Sequence, residues 1–379
     1  MANKFLIVQL ACYGDCLFAT SIARQIKQDY PDSHITWAVA SRYRNILDLN
    51  PDIDKIWEVD IPGNDFYKAG WDNFEATARA KKAAGEFDEI IFSQIDPLNW
   101  DTYKGTIRGT ILSAYGKPIR VSRDPVVVLS EKEIAHVAAF AQKNKLPDFD
   151  QVVLFECAPG SGQSKLTPAF ALSLAQKFTA KNSRVCFILS TPDKLAVENA
   201  QIIDASELSF RENAALTHYC SLLIGCSSGI TWLSTSTAAK KLPMIQLLQQ
   251  KGAIFAGVHF DFEVNGIDNP PVLEMVEYDE ANVLQVLTDV FGQGMQPAKL
   301  VHHQHYFPGY YYLKKHIRIL ISKRRSSKLI FNMIKGYKAA VGDFPINYID
   351  HYYQVYVFQG FLNPLKKLFK SFFKKKPVS

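Results

Sequence analysis

The stretch Phe5–Asp29, FLIVQLACYGDCLFATSIARQIKQD, admits two readings with opposite consequences. Read as a secretion signal, it would end near Cys12, which would then carry a lipid anchor. Read as the first strand, turn and helix of an α/β enzyme, it offers Asp15 as a working carboxylate. A signal needs a basic start, an apolar run of about 7–15 residues and small residues before the cleavage point. Here Lys4 is the only basic residue before the apolar run, Gln9 interrupts that run, and Tyr13-Gly14-Asp15 follows at once. Gln9-Leu10-Ala11 ahead of Cys12 also fits lipoprotein cleavage badly. The strand–turn–helix reading suits the residues better. Phe5–Leu10 has the apolar character of a buried parallel strand. From Cys16 to Asp29, Leu17, Ile22, Ala23 and Ile26 recur at helical spacing, and Pro31 closes the helix.

Working outward, strands and helices alternate. His34–Ala40, Ile53–Val59 and Glu89–Phe92 read as strands, and Arg42–Leu49, Trp71–Ala84 and Tyr103–Tyr115 as helices. Ser130–Asn144 reads as a connecting helix and Leu146–Asp148 as a linker. The alternation then restarts. Strands are predicted at Val152–Glu156, Val185–Ser190, Leu222–Gly225 and Met244–Leu248. Helices are predicted at Thr167–Lys181, Ser209–Tyr219, Ile230–Ala239 and Glu280–Phe291, the second opened by the S-x-x-E pair Ser209 and Glu212. Two such runs predict an α/β protein with twin Rossmann-like domains facing a cleft, 1–148 and 149–298, followed by an extension, 299–379.

Composition agrees with a two-domain globular chain: 379 residues, 47% hydrophobic and 21% charged, with no uninterrupted apolar run of transmembrane length. The cysteines, at 12, 16, 157, 186, 220 and 226, form no C-x-x-C pair. Cys12 and Cys16 with no nearby histidine make a poor zinc site, so no metal is expected, and thiols scattered beside strands suit a reduced, cytoplasmic protein. The net charge of +6 is unevenly spread. Residues 299–379 hold thirteen lysines and three arginines against Asp343 and Asp350, a net +14, which leaves the body at −8. Within this end, Phe361, Leu362, Leu365, Leu368, Phe369, Phe372 and Phe373 share one helical face. Lys366, Lys367, Lys370, Lys374 and Lys375 share the other. A basic amphipathic helix of this kind suits an anionic membrane surface. The same charge would attract nucleic acid only without specificity, and no nucleic-acid partner is expected.

Ligands of open α/β sheets sit outside the carboxyl ends of strands. Three strand-to-helix junctions carry suitable residues. In Ala11–Cys16, Gly14 permits a tight turn and Asp15 opens a helix, where it serves either as a cap or as a catalytic carboxylate. In Ala158–Lys165, APGSGQSK, Ser161 and Ser164 offer hydroxyls and Lys165 a charge, but the spacing is not that of a P-loop. In Gly225–Ile230, GCSSGI, Ser227, Ser228 and Gly229 precede a helix, as a simple cap or as an anion site.

The order of these motifs resembles glycosyltransferase family 9, the heptosyltransferases of lipopolysaccharide assembly. The similar segments are FLIVQLACYGDCLFATSIARQIKQDYPDSHITWAV, LNPDIDKIWEV, VVLFECAPGSGQSKLTP and LIGCSSGITWLSTSTAAKKLPMIQLL, which span residues 1–250 in order. The resemblance implies a GT-B fold, with acceptor on the N-terminal side and nucleotide-sugar on the C-terminal side. It implies inverting transfer without metal or bound cofactor. Asp15, with Gly14 in its loop, would be the general base on the acceptor. Ser161, Lys165, Ser227, Ser228 and Gly229 would hold the donor diphosphate. The expected acceptor is a lipid-linked or cell-surface glycan, met at the inner face of the plasma membrane by a cytoplasmic, peripherally bound enzyme. The family's Asp of D-[ST]-G is Ser227 here, its following histidine is Trp232, and its K-x-W-P reads Lys165-Leu166-Thr167-Pro168. Two alternatives stand beside this reading: a nucleotide-sugar epimerase on a similar fold, and a catalytically inactive nucleotide-sugar-binding subunit.

Overall fold

In the computed structural model of the chain, residues 3–61, 69–95, 98–99, 106–249, 257–304, 306, 317 and 321 are described. The segment Phe361–Lys376, expected from sequence to form a basic amphipathic helix, lies outside them. Both sheets belong to one compact unit, Met1–Ser326.

The N-terminal sheet holds β1 (Lys4–Val8), β2 (His34–Ala40), β3 (Lys55–Val59) and β4 (Glu89–Phe92) in the order β3-β2-β1-β4, all parallel. Its helices are α1 (Tyr13–Asp29), α2 (Ala69–Ala83) and α3 (Ile107–Ser113). After α4 (Glu131–Lys143) comes a second sheet. Its strands are β5 (Gln151–Glu156), β6 (Val185–Ser190), β7 (Ile202–Asp204), β8 (Leu222–Gly225), β9 (Met244–Leu248) and β10 (Val272–Val276). They stand in the order β10-β9-β8-β5-β6-β7, again parallel. Around it lie α5 (Pro168–Thr179), α6 (Glu212–Leu216), α7 (Gly229–Leu233), α8 (Val258–Asn265), α9 (Glu280–Gln293) and α10 (Met295–His302). The central strands are buried along nearly their whole length, as parallel strands covered on both faces must be. On one face of the second sheet, Val153 and Phe155 pack with Leu174, Phe178 and Leu287. On the other, Leu154 and Leu223 pack with Val137, Phe140 and Phe262.

Several boundaries differ from those expected. The helix expected to start at Cys16 begins at Tyr13. The 42–49 helix is a 3-10 helix over Ser41–Leu47. The helix expected over 230–239 ends at Leu233. Two hydroxyls there bond back to carbonyls, Ser234 Oγ to Thr231 O (2.7 Å) and Thr235 Oγ1 to Trp232 O (2.7 Å). Thr237 N then donates to Pro125 O, which diverts the chain. The connecting helix α4, placed with the first domain from sequence, packs into the core of the second, because Val137, Phe140 and Ala141 join that apolar face. In the segment before α4, the amides of Val126 and Val127 donate to Thr20 Oγ1 and Thr237 Oγ1. The expected boundary at 298/299 falls inside α10, which packs on α9 and β10. β7, α8, β10 and α10 are further elements that the apolar pattern did not mark.

Strand order places the ligand site. The first sheet runs outward from β1 to β3, then crosses to β4 on the opposite side of β1. The second runs from β5 to β7, then crosses to β8 on the opposite side of β5. Each reversal opens a crevice at the strand ends.

Candidate functional site

A cleft of about 920 Å³ lies where these crevices face each other. Cys12–Asp15 and Gln94 line it from the ends of β1 and β4. Glu156, Gly160, Ser161 and Ser227–Ile230 line it from the ends of β5 and β8. Of the residues singled out from sequence, Gly14, Asp15, Ser161, Ser227, Ser228 and Gly229 are thus brought to one cavity.

Asp15 sits in the first turn of α1, where a negative charge suits the helix dipole. It does not cap the helix. The N-cap residue is Cys12, and it makes no side-chain cap bond either. Instead the β1–α1 loop is pinned from β4: Gln94 Oε1 accepts from Leu10 N (3.0 Å), Ala11 N (3.1 Å) and Gln9 Nε2 (3.0 Å). Asp15 is half-buried and lines the cleft, and no hydrogen bond or ion pair from the described residues reaches its carboxylate. Loss of hydration raises its pKa to about 7.

Gly14 allows a close approach and not an unusual turn. It lies within α1, and a Cβ there would meet Trp232 Cδ1 at 3.1 Å. Trp232 comes from the other half of the cleft. It also meets Phe18 edge-on, with ring centroids 5.0 Å apart, and the Arg108 guanidinium lies 4.4 Å from the Phe18 ring and 5.6 Å from that of Trp232. Arg108 Nε donates to Asp261 Oδ2 (2.8 Å), a fully buried ion pair that joins α3 to α8 across the two halves. A second tie is Tyr13 stacked on Phe210, 4.3 Å between centroids.

On the C-terminal wall, the loop Cys226–Gly229 is held by a residue that sequence reasoning missed. Glu156, at the end of β5, accepts from Ile230 N (2.8 Å), Thr231 N (3.3 Å), Cys226 N (3.3 Å) and Thr231 Oγ1 (2.7 Å). Burial pushes its pKa up, against the pull of these donors. The amides expected to receive a ligand anion are therefore partly occupied by an internal carboxylate. Ser227 is buried with φ 52°, a strained conformation for a serine. Its amide donates to Gln246 Oε1 (2.8 Å) and its hydroxyl to Gln163 Oε1 (3.0 Å). Ser228 Oγ accepts from Gly160 N (3.1 Å) and so joins the two Gly/Ser loops. Gly229 leaves room for Phe210, whose Cε2 would stand 2.8 Å from a Cβ. Ser161 Oγ accepts from Gln163 N (3.3 Å) at the cleft wall. Lys165 is not brought in with the others. It is exposed and paired with Glu277 (3.2 Å) outside the cleft lining, and Ser164 turns to Tyr278. The signal that could have found Glu156 is a lone acid closing the apolar strand VVLFE. Gln94 and Gln246 likewise interrupt or follow apolar strands. Among the described residues no group of three or more His, Cys, Asp or Glu is placed to hold a metal ion.

No protein-family model matches the sequence, and no curated protein matches it. Solved structures do. A family 9 glycosyl transferase from Veillonella parvula is similar at 15% identity and a TM-score of 0.55, over 87% of this chain and 97% of that one. ADP-heptose lipopolysaccharide heptosyltransferase II from E. coli is similar at 15% identity and a TM-score of 0.51, over 76% of this chain and 99% of that one. At this identity the likeness speaks for the fold: the chain has the GT-B architecture of these glycosyltransferases, two parallel α/β halves facing one cleft.

Proposed function

We propose that the protein is an inverting, metal-independent glycosyltransferase that moves a sugar from a nucleotide diphosphate sugar to a hydroxyl of a lipid-linked or cell-surface glycan. The observation that carries this reading is the Asp15 carboxylate. It is unpaired among the described residues, opens into the cleft opposite the loops of β5 and β8, and titrates near 7. A base with a pKa near the working pH combines adequate basicity with sufficient population of the free carboxylate. Asp15 takes the proton of the acceptor hydroxyl while that oxygen bonds to the anomeric carbon. The bond to the diphosphate breaks on the opposite face, and the configuration inverts. Hydroxyls and amides of Ser161, Ser228 and Gly229 would receive the departing diphosphate. Lys165 would join them only by leaving Glu277. In this reading the chain is cytoplasmic and bound to the inner face of the plasma membrane through Phe361–Lys376.

A second reading, a silent nucleotide-sugar-binding subunit, draws on Glu156 and Lys165: one anion-binding group is occupied and the other turned away. One experiment separates the two. Nucleotide diphosphate sugars are screened by thermal shift, and the stabilising donor is then used in transfer assays. The transferase reading expects turnover that falls by about 10²–10⁴-fold in Asp15→Asn with donor binding retained. Binding without turnover in the wild type supports the silent subunit, and no binding by any donor defeats both.

A further inference from the structure

The outward face of α10 is uncharged. From Gln296 to His302 the exposed residues are Gln296, Pro297, Leu300 and Val301, with Leu300 90% and Val301 75% exposed. A solvated surface helix ordinarily places charged side chains there. The inward side is anchored, since Ala298 is buried and His302 Nε2 pairs with Asp289 (2.6 Å). This face also opens a run of sequence of one sign. Residues 290–342 contain no Asp or Glu and ten Lys or Arg, the first of them Lys299 on α10 itself.

We propose that the outer face of α10 is a membrane-docking surface of the folded body, which inserts Leu300 and Val301 into the interface of an anionic bilayer. The apolar pair supplies interfacial burial, and the acid-free basic run that follows α10 in the sequence supplies attraction to anionic headgroups. Nucleic acid would satisfy the charge but would leave the two aliphatic side chains in water. The inference rests on the membrane reading of Phe361–Lys376 and adds a second contact, on the body, so that association does not depend on the amphipathic segment alone.

The test is co-sedimentation of the full chain with vesicles of phosphatidylcholine alone and with 30% phosphatidylglycerol. Because Leu300 and Val301 are exposed, Leu300→Ser/Val301→Ser should fold normally, as checked by circular dichroism. The wild type is expected to bind the anionic vesicles, and the double variant about tenfold more weakly at the same ionic strength, because interfacial affinity scales with buried apolar area. A Leu300→Trp variant should show fluorescence quenching by brominated lipid beyond that of the wild type. Equal binding by the double variant, or a tryptophan at 300 that the lipid does not quench, overturns the docking surface while leaving the membrane reading in place. A wild type that ignores anionic vesicles overturns both. A wild type that binds an RNA oligonucleotide in preference to vesicles assigns the basic run to nucleic acid and also overturns the proposal.

Discussion

Asp15 places function against stability within one side chain. Its folded pKa of about 7 lies above the ordinary carboxylate value of 3.8, so the folded protein binds the extra proton between about pH 4 and 7. Stability therefore falls as pH rises through that window, because the charged form is the one the cleft desolvates. Asp15→Asn should remove this penalty. We expect its Tm to exceed that of the wild type by several degrees at pH 8 and to match it near pH 4, while transfer is lost. Equal Tm values at pH 8 would show that the carboxylate is hydrated after all. Within the active range, the pH–rate profile of the wild type should rise through about pH 7, as the base loses its proton.

At the scale of elements, the short helix α7 depends on β5. Its five residues cannot hold the loop before it, and Ser227 sits at positive φ. Glu156, Gln246 and Gln163 together impose that geometry. Glu156→Ala would leave three amides and the Thr231 hydroxyl without their carboxylate. We expect a loss of about 2–4 kcal/mol in denaturant unfolding, from buried donors left unsatisfied. Donor affinity should weaken with it. Glu156→Gln, which keeps one acceptor oxygen in place, should recover part of both. A Glu156→Ala protein as stable as the wild type would mean that water replaces the carboxylate at no cost.

Across the whole molecule, two buried arginines tie the halves of the body together. Arg211 pairs with Glu133 (2.7 Å) and donates to the carbonyls of Asn45 and Asp48, both at 3.0 Å. Arg108 pairs with Asp261 and donates to Arg123 O (2.9 Å), and its Nη2 is buried without a hydrogen-bond partner among the described residues. Burial raises the pKa of Glu133, but the bonds from Arg211 and Ser130 outweigh it and hold the group at about 2. Its contribution is thus present above about pH 4.5 and fades as pH falls toward 2. Arg108→Met should cost about 3–5 kcal/mol, because it strands the Asp261 charge in the interior. Arg108→Met/Asp261→Leu should restore much of that loss, since no unpaired charge remains. Denaturant melts of the single and double variants decide the point. A double variant no better than the single would place the defect in packing against Phe18 and Trp232.

The fold class and the candidate loops were legible along the chain, because apolar patterning is local. Runs such as Phe5–Leu10 and Val152–Glu156 must be buried strands wherever they go, and β9 lies at Met244–Leu248 as expected. Helix ends were less legible where distant partners set them. The turn before α1 is fixed by Gln94, 83 residues beyond Ala11, and the chain leaving α7 is diverted where Thr237 meets Pro125. Which side chains share the cleft depends instead on packing in three dimensions. Strand order, with its reversals between β1 and β4 and between β5 and β8, brings Asp15 to face Ser161, Ser228 and Gly229. Ion pairing across 112 residues turns Lys165 aside to Glu277, and hydrogen bonds across 74 and 75 residues give two α7 amides to Glu156. Pairings at such separations depend on how elements pack, which no local pattern records.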